Sequence, residues 1–198
     1  MKRKYIKYIS IALIITGVGI MSKVIYDKYT FKERQKIIMQ SLDKPSEAQK
    51  EAVRAVEEEY KVKPLAILEI PSIEVKAGVV EGQSMYDMFF GVGHDTQSPF
   101  PKMEGNTGNL VLAAHDAGKA PIFKNLSKVS IGSNVIFKYK GDVYTYKISY
   151  KKVIEPTDVS VIENNPDKSI ITLFTCVDNG QRRIVLKGDL IKREKEQR

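Results

Sequence analysis

The chain has 198 residues, which suits one catalytic domain with a short accessory segment, because domains usually run to roughly 100 to 200 residues. Its formal net charge is +8, but the Lys and Arg residues concentrate at both ends and the middle is mixed in sign, so we expect no nucleic-acid partner. The single cysteine, Cys176, excludes an internal disulfide and leaves one free thiol to explain.

A candidate membrane segment comes first: the basic opening MKRKYIKY leads into the apolar run ISIALIITGVGIM. Counted from Tyr5 to Tyr26, it can cross a hydrocarbon core, which needs about 20 residues. No small-x-small cleavage site follows, so an uncleaved anchor is favoured over a removed signal peptide. More cations precede the segment than closely follow it, which predicts a cytoplasmic N-terminus and an extracellular remainder. Residues 1–29 are therefore predicted to be a basic cytoplasmic end and a single-pass anchor.

Residues 30–63 are rich in strong helix formers, with oppositely charged neighbours at helical spacing. Pro45 is predicted to divide this segment into two helices, because proline cannot continue a helix from within. We interpret the segment as a helical stalk or packed accessory region and assign it no chemistry.

Residues 64–198 change character at Pro64, to short runs rich in Ile, Val, Leu, Tyr and Phe separated by Gly, Pro, Asn and Asp. This pattern is typical of an all-β barrel or sandwich. Apolar and polar residues alternate on both sides of Lys140-Gly141-Asp142, which predicts a hairpin with one buried face. These residues are predicted to form the catalytic domain.

Two strand-like runs end in residues that could carry chemistry. Cys176 closes SIITLFTC before the turn-forming VDNG, and His115 closes NLVLAAH before DAGK. A thiol and an imidazole are the parts needed for nucleophilic acyl transfer, since a neighbouring imidazolium favours the thiolate and can give a proton to a departing amine. The alternatives are a buried cysteine acting as a small hydrophobe and an ordinary loop histidine.

Attack on a carbonyl also needs fixed donors for the charge that develops on its oxygen. Arg182 and Arg183 follow Cys176 in the adjoining strand and could supply them. Strand alternation lets only one of the two arginines face the site, and the residues alone leave the choice open.

These residues stand in motifs that resemble the sortase family. TLFTC, residues 172–176, resembles the family's T-L-x-T-C motif, and NLVLAAH resembles the strand that delivers its histidine. The resemblance extends over residues 64–191, and the terminal RIVLKGDL favours Arg183 over Arg182. It implies a closed β-barrel with short helices, preceded here by the membrane helix and the helical stalk.

The resemblance also implies the reaction: cleavage of a Leu-Pro-x-Thr-Gly sorting signal between Thr and Gly, with no cofactor and no metal. Cys176 would be the nucleophile that forms the thioacyl intermediate, His115 the general acid and base, and Arg183 the stabiliser of the oxyanion or substrate. Thr175 would help to bind substrate or the oxyanion, and His94 would lie outside the catalytic set.

The implied partners are surface proteins that bear sorting signals, a cell-wall precursor or peptidoglycan amine, and the membrane of a Gram-positive cell. An Asp-Pro-aromatic lid motif is missing and the Cys-to-Arg connection is short, so the resemblance is to class A or class D. Two alternatives remain: a membrane-anchored cysteine protease that releases its acyl group to water, and a non-catalytic surface-binding β-domain with Cys176 inert.

Overall fold

The computed structural model describes residues 2–43 and 46–196; Pro45, predicted to divide the helical segment, lies outside them. Two helices come first, α1 (Lys2–Leu42) and α2 (Ser46–Tyr60). Eight strands follow in the described chain: β1 (Pro64–Ile70), β2 (Val75–Glu81), β3 (Val92–His94), β4 (Gly108–Ala113), β5 (Asn134–Tyr139), β6 (Asp142–Ile154), β7 (Ser169–Val177) and β8 (Arg182–Lys195).

The strands form a closed barrel in the order β1-β2-β3-β4-β7-β8-β6-β5. The β2–β3 and β4–β7 pairs are parallel and the other neighbours are antiparallel. Closure pairs every strand on both sides, so these strands leave no unpaired edge. The connections carry several one-turn helices. The predicted closed barrel with short helices is thus confirmed.

The barrel interior is filled by alternate residues of the strands, as β1 illustrates with its strict alternation of buried and half-buried positions. Each large apolar side chain removed from water contributes about 1.5–3 kcal/mol, so this cluster is the main source of stability. Its members include Leu68, Leu110, Phe137, Tyr146 and Leu186, none more than 2% exposed.

The β5–β6 hairpin turns at Lys140 and Gly141, which have φ of 53° and 80°. Positive φ at both central residues is the geometry of a type I′ turn, whose twist matches that of the flanking strands. The turn sets Tyr139 opposite Asp142 and thereby fixes the register of the pair.

Helices α1 and α2 pack on the outside of the barrel around β1 and β2. They share a second apolar cluster with the barrel, in which Ile38 and Val80 are wholly buried. Ile38 lies directly over Gly78, where an added Cβ would collide with it. Among the described residues, α1 is the helix that is apolar and long enough to cross a membrane: an 18-residue stretch of it has a mean hydropathy of 1.9 and is wholly unburied. The helix continues without a break through residue 29, where the anchor was predicted to give way to the stalk.

Candidate active site

Three of the predicted site residues fall in one row across neighbouring strands. β4 and β7 run parallel with Ala113 beside Phe174. His115 lies two residues beyond the end of β4, and the hydrogen bond from Thr175 Oγ1 to the carbonyl of Ala114, at 2.6 Å, keeps the chain alongside β7 there. On the other side of β7, Cys176 is the cross-strand partner of Arg183. Neighbouring strands lie about 4.7–4.9 Å apart, so Arg183 is adjacent to Cys176, and we infer from the register of β4 and β7 that His115 lies on its other side.

The three side chains also belong to the same face of the sheet. The residues of these strands that belong to the interior cluster alternate with the site residues: they are Leu110, Leu112 and Ala114, then Ile171 and Leu173, then Ile184 and Leu186. His115, Cys176 and Arg183 occupy the alternate positions, which point outward. A thiol, an imidazole and a guanidinium therefore line one stretch of the barrel's outer surface.

Cys176 is a half-buried free thiol one residue before the end of β7. The chain reverses directly after it through Asp178, Asn179 and Gly180, which have φ of 52°, 55° and 87°. Left-handed backbone costs a non-glycine residue about 1–2 kcal/mol, and strain of this kind clusters at functional sites. This tight turn makes the connection between β7 and β8 short and leaves the thiol at the rim of the barrel.

His115 follows β4 and is half-buried, with its ring centroid 5.9 Å from that of Phe89. Its backbone carbonyl accepts a hydrogen bond from Phe123 N at 2.9 Å, which secures the start of the loop. Its Nε2 is buried and has no hydrogen-bond partner in residues 2–43 and 46–196. A buried donor or acceptor without a partner calls for an explanation, but His94 Nδ1 has the same property, so it does not by itself single out His115.

The two arginines have different surroundings. Arg183 is half-buried and its Nη1 donates to the carbonyls of Gly180, at 2.8 Å, and Arg182, at 3.1 Å. Arg182 is exposed and forms an ion pair with Asp178, its Nε lying 2.6 Å from Oδ2. Of the two arginines, only Arg183, which the resemblance favours, belongs to the outward row with Cys176.

Thr175 points to the opposite face from Cys176. It is 3% exposed, and its Oγ1 donates to the carbonyl of Ala114 at 2.6 Å. This bond joins β7 to the end of β4 next to His115, which makes Thr175 well placed to hold the nucleophile and the imidazole side by side. Direct contact of Thr175 with substrate stays a prediction.

Thr175→Val should separate this positioning role from simple stability. Loss of the hydroxyl leaves a buried carbonyl without its donor, so we expect the free energy of unfolding to fall by about 1–3 kcal/mol and the peptide-cleavage kcat/KM to fall about tenfold. Thr172→Val is the matched control: Thr172 is also buried on β7 and donates to Asn109 Oδ1 at 2.7 Å, but it lies four residues from Cys176. Denaturant unfolding and cleavage rates should show similar destabilisation and a rate loss only for Thr175→Val; equal rates would remove the positioning role.

His94 lies in β3 and is 3% exposed. Its Nε2 is 3.1 Å from Ser98 Oγ, and its ring stacks on Phe100 at a centroid distance of 4.2 Å. Burial lowers the pKa of His94, which favours the neutral imidazole. These contacts are those of a structural core histidine.

An apolar cavity of about 110 Å³ adjoins the site on the outer face. It lies between β7, β8 and the connection from β6 to β7, and its lining includes Phe174, Arg183, Val185, Val159 and Ile162. Arg183 thus borders a largely apolar cavity that can receive small aliphatic side chains.

Sequence reasoning missed Phe89, which contacts His115, and the part that residues 155–162 play as a wall of the cavity. Neither lies near a catalytic motif in sequence, so no local signal marks them. No group of three or more His, Cys, Asp or Glu side chains that could hold a metal ion occurs within the described residues.

Comparison with known proteins matches residues 68–191 to the family model described as "Sortase domain". The chain is 29% identical over 127 residues to sortase D of Bacillus subtilis and 31% identical over 129 residues to sortase A of Listeria monocytogenes. These alignments cover 62% and 64% of this chain, but only 61% and 56% of those relatives.

Solved structures give the same result. The chain resembles sortase C1 from Streptococcus suis with a TM-score of 0.62 and 27% identity, over 78% of this chain and 94% of that one. It resembles a Clostridium perfringens sortase D5 transpeptidase in fold, with a TM-score of 0.64 and 24% identity, over 81% of this chain and 98% of the other.

Proposed function

The chain belongs to the sortase family, whose members are cysteine transpeptidases, and on this basis we propose that it cleaves a Leu-Pro-x-Thr-Gly-like sorting signal between Thr and Gly and transfers the protein to a cell-wall amine. One observation carries the proposal: Cys176 on β7 is the cross-strand partner of Arg183 on β8, and His115 comes just after the neighbouring parallel strand β4 at the same end. Acyl transfer needs a nucleophile, a proton carrier and a stabiliser of negative charge within reach of one carbonyl, and these three residues are the proposed groups.

In the proposed first step, the Cys176 thiolate attacks the threonine carbonyl carbon and a carbon–sulfur bond forms. The carbon–nitrogen bond to glycine then breaks, and the protonated His115 gives its proton to the departing amine. The product is a thioester on Cys176. In the second step a cell-wall amine attacks that thioester, His115 takes the proton from the amine, and Cys176 leaves as the thiolate.

Arg183 is proposed to stabilise the oxygen of both tetrahedral intermediates or the substrate carbonyl. A guanidinium carries five donors, and two hydrogen bonds to carbonyls occupy only Nη1 of Arg183. The remaining donors can serve a substrate without breaking those two bonds, which themselves hold the side chain in place. Fixed donors of this kind need little reorganisation when charge develops.

The apolar cavity beside Arg183 supports the Leu-Pro part of the proposed signal. Leucine and proline are apolar and of a size that a cavity of about 110 Å³ can receive in part. Phe174 and Val185 lie two residues from Cys176 and Arg183 along their strands, on the same outward face. An extended substrate with its threonine carbonyl at Cys176 would therefore bring the residues before it over this cavity.

The single apolar N-terminal helix is compatible with a single-pass membrane anchor. We propose a cytoplasmic N-terminus and an extracellular catalytic domain, with residues 1–29 as anchor, residues 30–63 as accessory helices and residues 64–198 as the catalytic unit. Surface proteins with sorting signals and a peptidoglycan or precursor amine are the proposed partners. No observation favours the protease or the non-catalytic domain over this assignment.

The test is incubation of the full chain in detergent or nanodiscs with quenched Leu-Pro-x-Thr-Gly peptides, with and without an amine acceptor. A product joined to the amine, formed in place of hydrolysed peptide, is the expected result. Equal cleavage with and without the amine would support the protease alternative. No cleavage of any signal variant, together with a Cys176 that resists thiol reagents, would support the binding domain.

A further inference from the structure

Helix α1 is one uninterrupted rod from Lys2 to Leu42, about 60 Å long at about 1.5 Å per residue. Its side chains are exposed throughout the predicted membrane segment, from Tyr5 to Tyr26. Beyond that segment one side of the rod becomes half-buried at Asp27 and wholly buried at Ile38. The helix that would leave the membrane is therefore the same helix that docks on the barrel.

The docking fixes how α1 is oriented. Gln35 accepts a hydrogen bond from Gly78 N at 3.3 Å and donates to the carbonyl of Phe90. The Arg34 guanidinium lies over the Phe90 ring at 5.2 Å, and Ile38 is wholly buried against Gly78. Rotation or sliding of the helix would break these contacts together, so the barrel cannot tilt freely on its anchor.

The contacts that α1 makes with the barrel show how far each part of the barrel lies from the end of the apolar segment, measured along the helix axis. The lowest is the ion pair between Asp27 Oδ1 and Lys119 Nζ at 3.5 Å, and Asp27 directly follows Tyr26. Lys119 lies in the loop that follows His115. The highest is at Asp43, which lines a cavity with Lys76, sixteen residues or about 24 Å further along.

His115 itself lies in the lower half of this scale, between Lys119 at its bottom and Phe90 near its middle. Phe90 is under Arg34, eight residues or about 12 Å beyond Tyr26, and the neighbouring Phe89 contacts the His115 ring. We propose that α1 is a rigid spacer that holds the His115 side of the barrel against the lipid surface, so that the site serves substrates that are themselves membrane-anchored. This proposal rests on the proposed function and on its membrane anchor.

A change in spacer length tests the proposal. Seven alanine-rich residues inserted between Tyr26 and Asp27 add about 10.5 Å and turn the helix by only about 20°. Every docking contact of α1 lies beyond the insertion and is therefore kept. A seven-residue Gly-Ser insert at the same place is the control, because it adds length without stiffness. Each full-length protein is reconstituted in vesicles and given one quenched signal peptide in two forms, soluble and lipid-anchored by a short linker.

All three proteins are expected to cleave the soluble peptide within about twofold of one another. The variant with the rigid insert should cleave the lipid-anchored peptide at least about fivefold more slowly than the parent protein. The variant with the flexible insert should keep most of the parent rate. The proposal that α1 is a rigid spacer would be wrong if the rigid insert left the rate on the lipid-anchored peptide unchanged, or if both inserts lowered that rate equally. If the parent protein fails on the soluble peptide, it is the proposed function that has failed.

A second measurement needs no catalysis. In a Cys176→Ala background, Lys119→Cys and Lys76→Cys are labelled with a fluorophore, and quenching by nitroxide headgroup lipids is compared. The two lysines are matched, since their side chains are 55% and 61% exposed and each pairs with one carboxylate. Much stronger quenching at position 119 is expected, and equal quenching at both positions would contradict the proposed orientation.

Discussion

Cys176→Ala and His115→Ala are each expected to lower transpeptidation by at least about 10³-fold, and the double variant should be little worse than either single one. When two residues act together in one step, removal of either one already abolishes that step, so the rate reductions of the two single variants do not multiply in the double variant. The physical basis is the parallel register of β4 and β7, which leads to His115 and Cys176 at the same end of the strand pair. The measurement is kcat/KM for amine-dependent product from the full chain and the three variants.

Chemical rescue separates proton transfer from a structural effect at His115. Removal of the side chain opens space beside Phe89, so added imidazole should restore part of the activity of His115→Ala and none of that of Cys176→Ala. Thermal unfolding of each variant controls for loss of fold. Retention of more than one-tenth of the rate by His115→Ala, or losses that multiply in the double variant, would remove His115 from the proposed acid-base role.

The alternation of short apolar runs was sufficient to predict an all-β catalytic region, because it reports which face of each strand is buried. The resemblance then narrowed the barrel-or-sandwich choice to a closed barrel. Alternation says nothing about which strands become neighbours. The parallel β4–β7 pair joins segments some sixty residues apart and depends on packing across the whole interior. That pairing, rather than any motif, brings the strand ends before His115 and Cys176 to the same end of the barrel.

Two features of the site were beyond sequence reasoning for the same reason. Arg182 and Arg183 are adjacent in sequence, and the ion pair that draws Arg182 aside depends on a reversal at Asp178 with positive φ. The hydrogen bond of Thr175 to the Ala114 carbonyl depends on the register of a distant strand. The sequence identifies the residue types, but it does not show which of these side chains form ion pairs or hydrogen bonds within the protein.

The pattern of the N-terminal region predicted helices but not their continuity. A change from apolar to charged composition near residue 30 suggested a boundary, because composition follows the surroundings of a helix. Backbone hydrogen bonding is indifferent to that change, and α1 continues through it to Leu42. The predicted boundary at residue 29 therefore marks a change in the composition of the helix and not an end of the helix.

Arg183→Ala is expected to lower kcat/KM for peptide cleavage by about 10²- to 10³-fold, the loss typical when one donor to a developing oxyanion is removed. Arg182→Ala is the matched control from the adjacent residue and should stay within about twofold, since its exposed ion pair with Asp178 contributes little. Arg183→Lys should recover only a small part of the loss, because a lysine keeps the charge but not the planar fork of donors. The fall should appear in kcat more than in KM if the guanidinium acts on the transition state. Equal losses for both arginines, or a loss confined to KM, would leave Arg183 as a contact of the resting substrate and require another donor for the oxyanion.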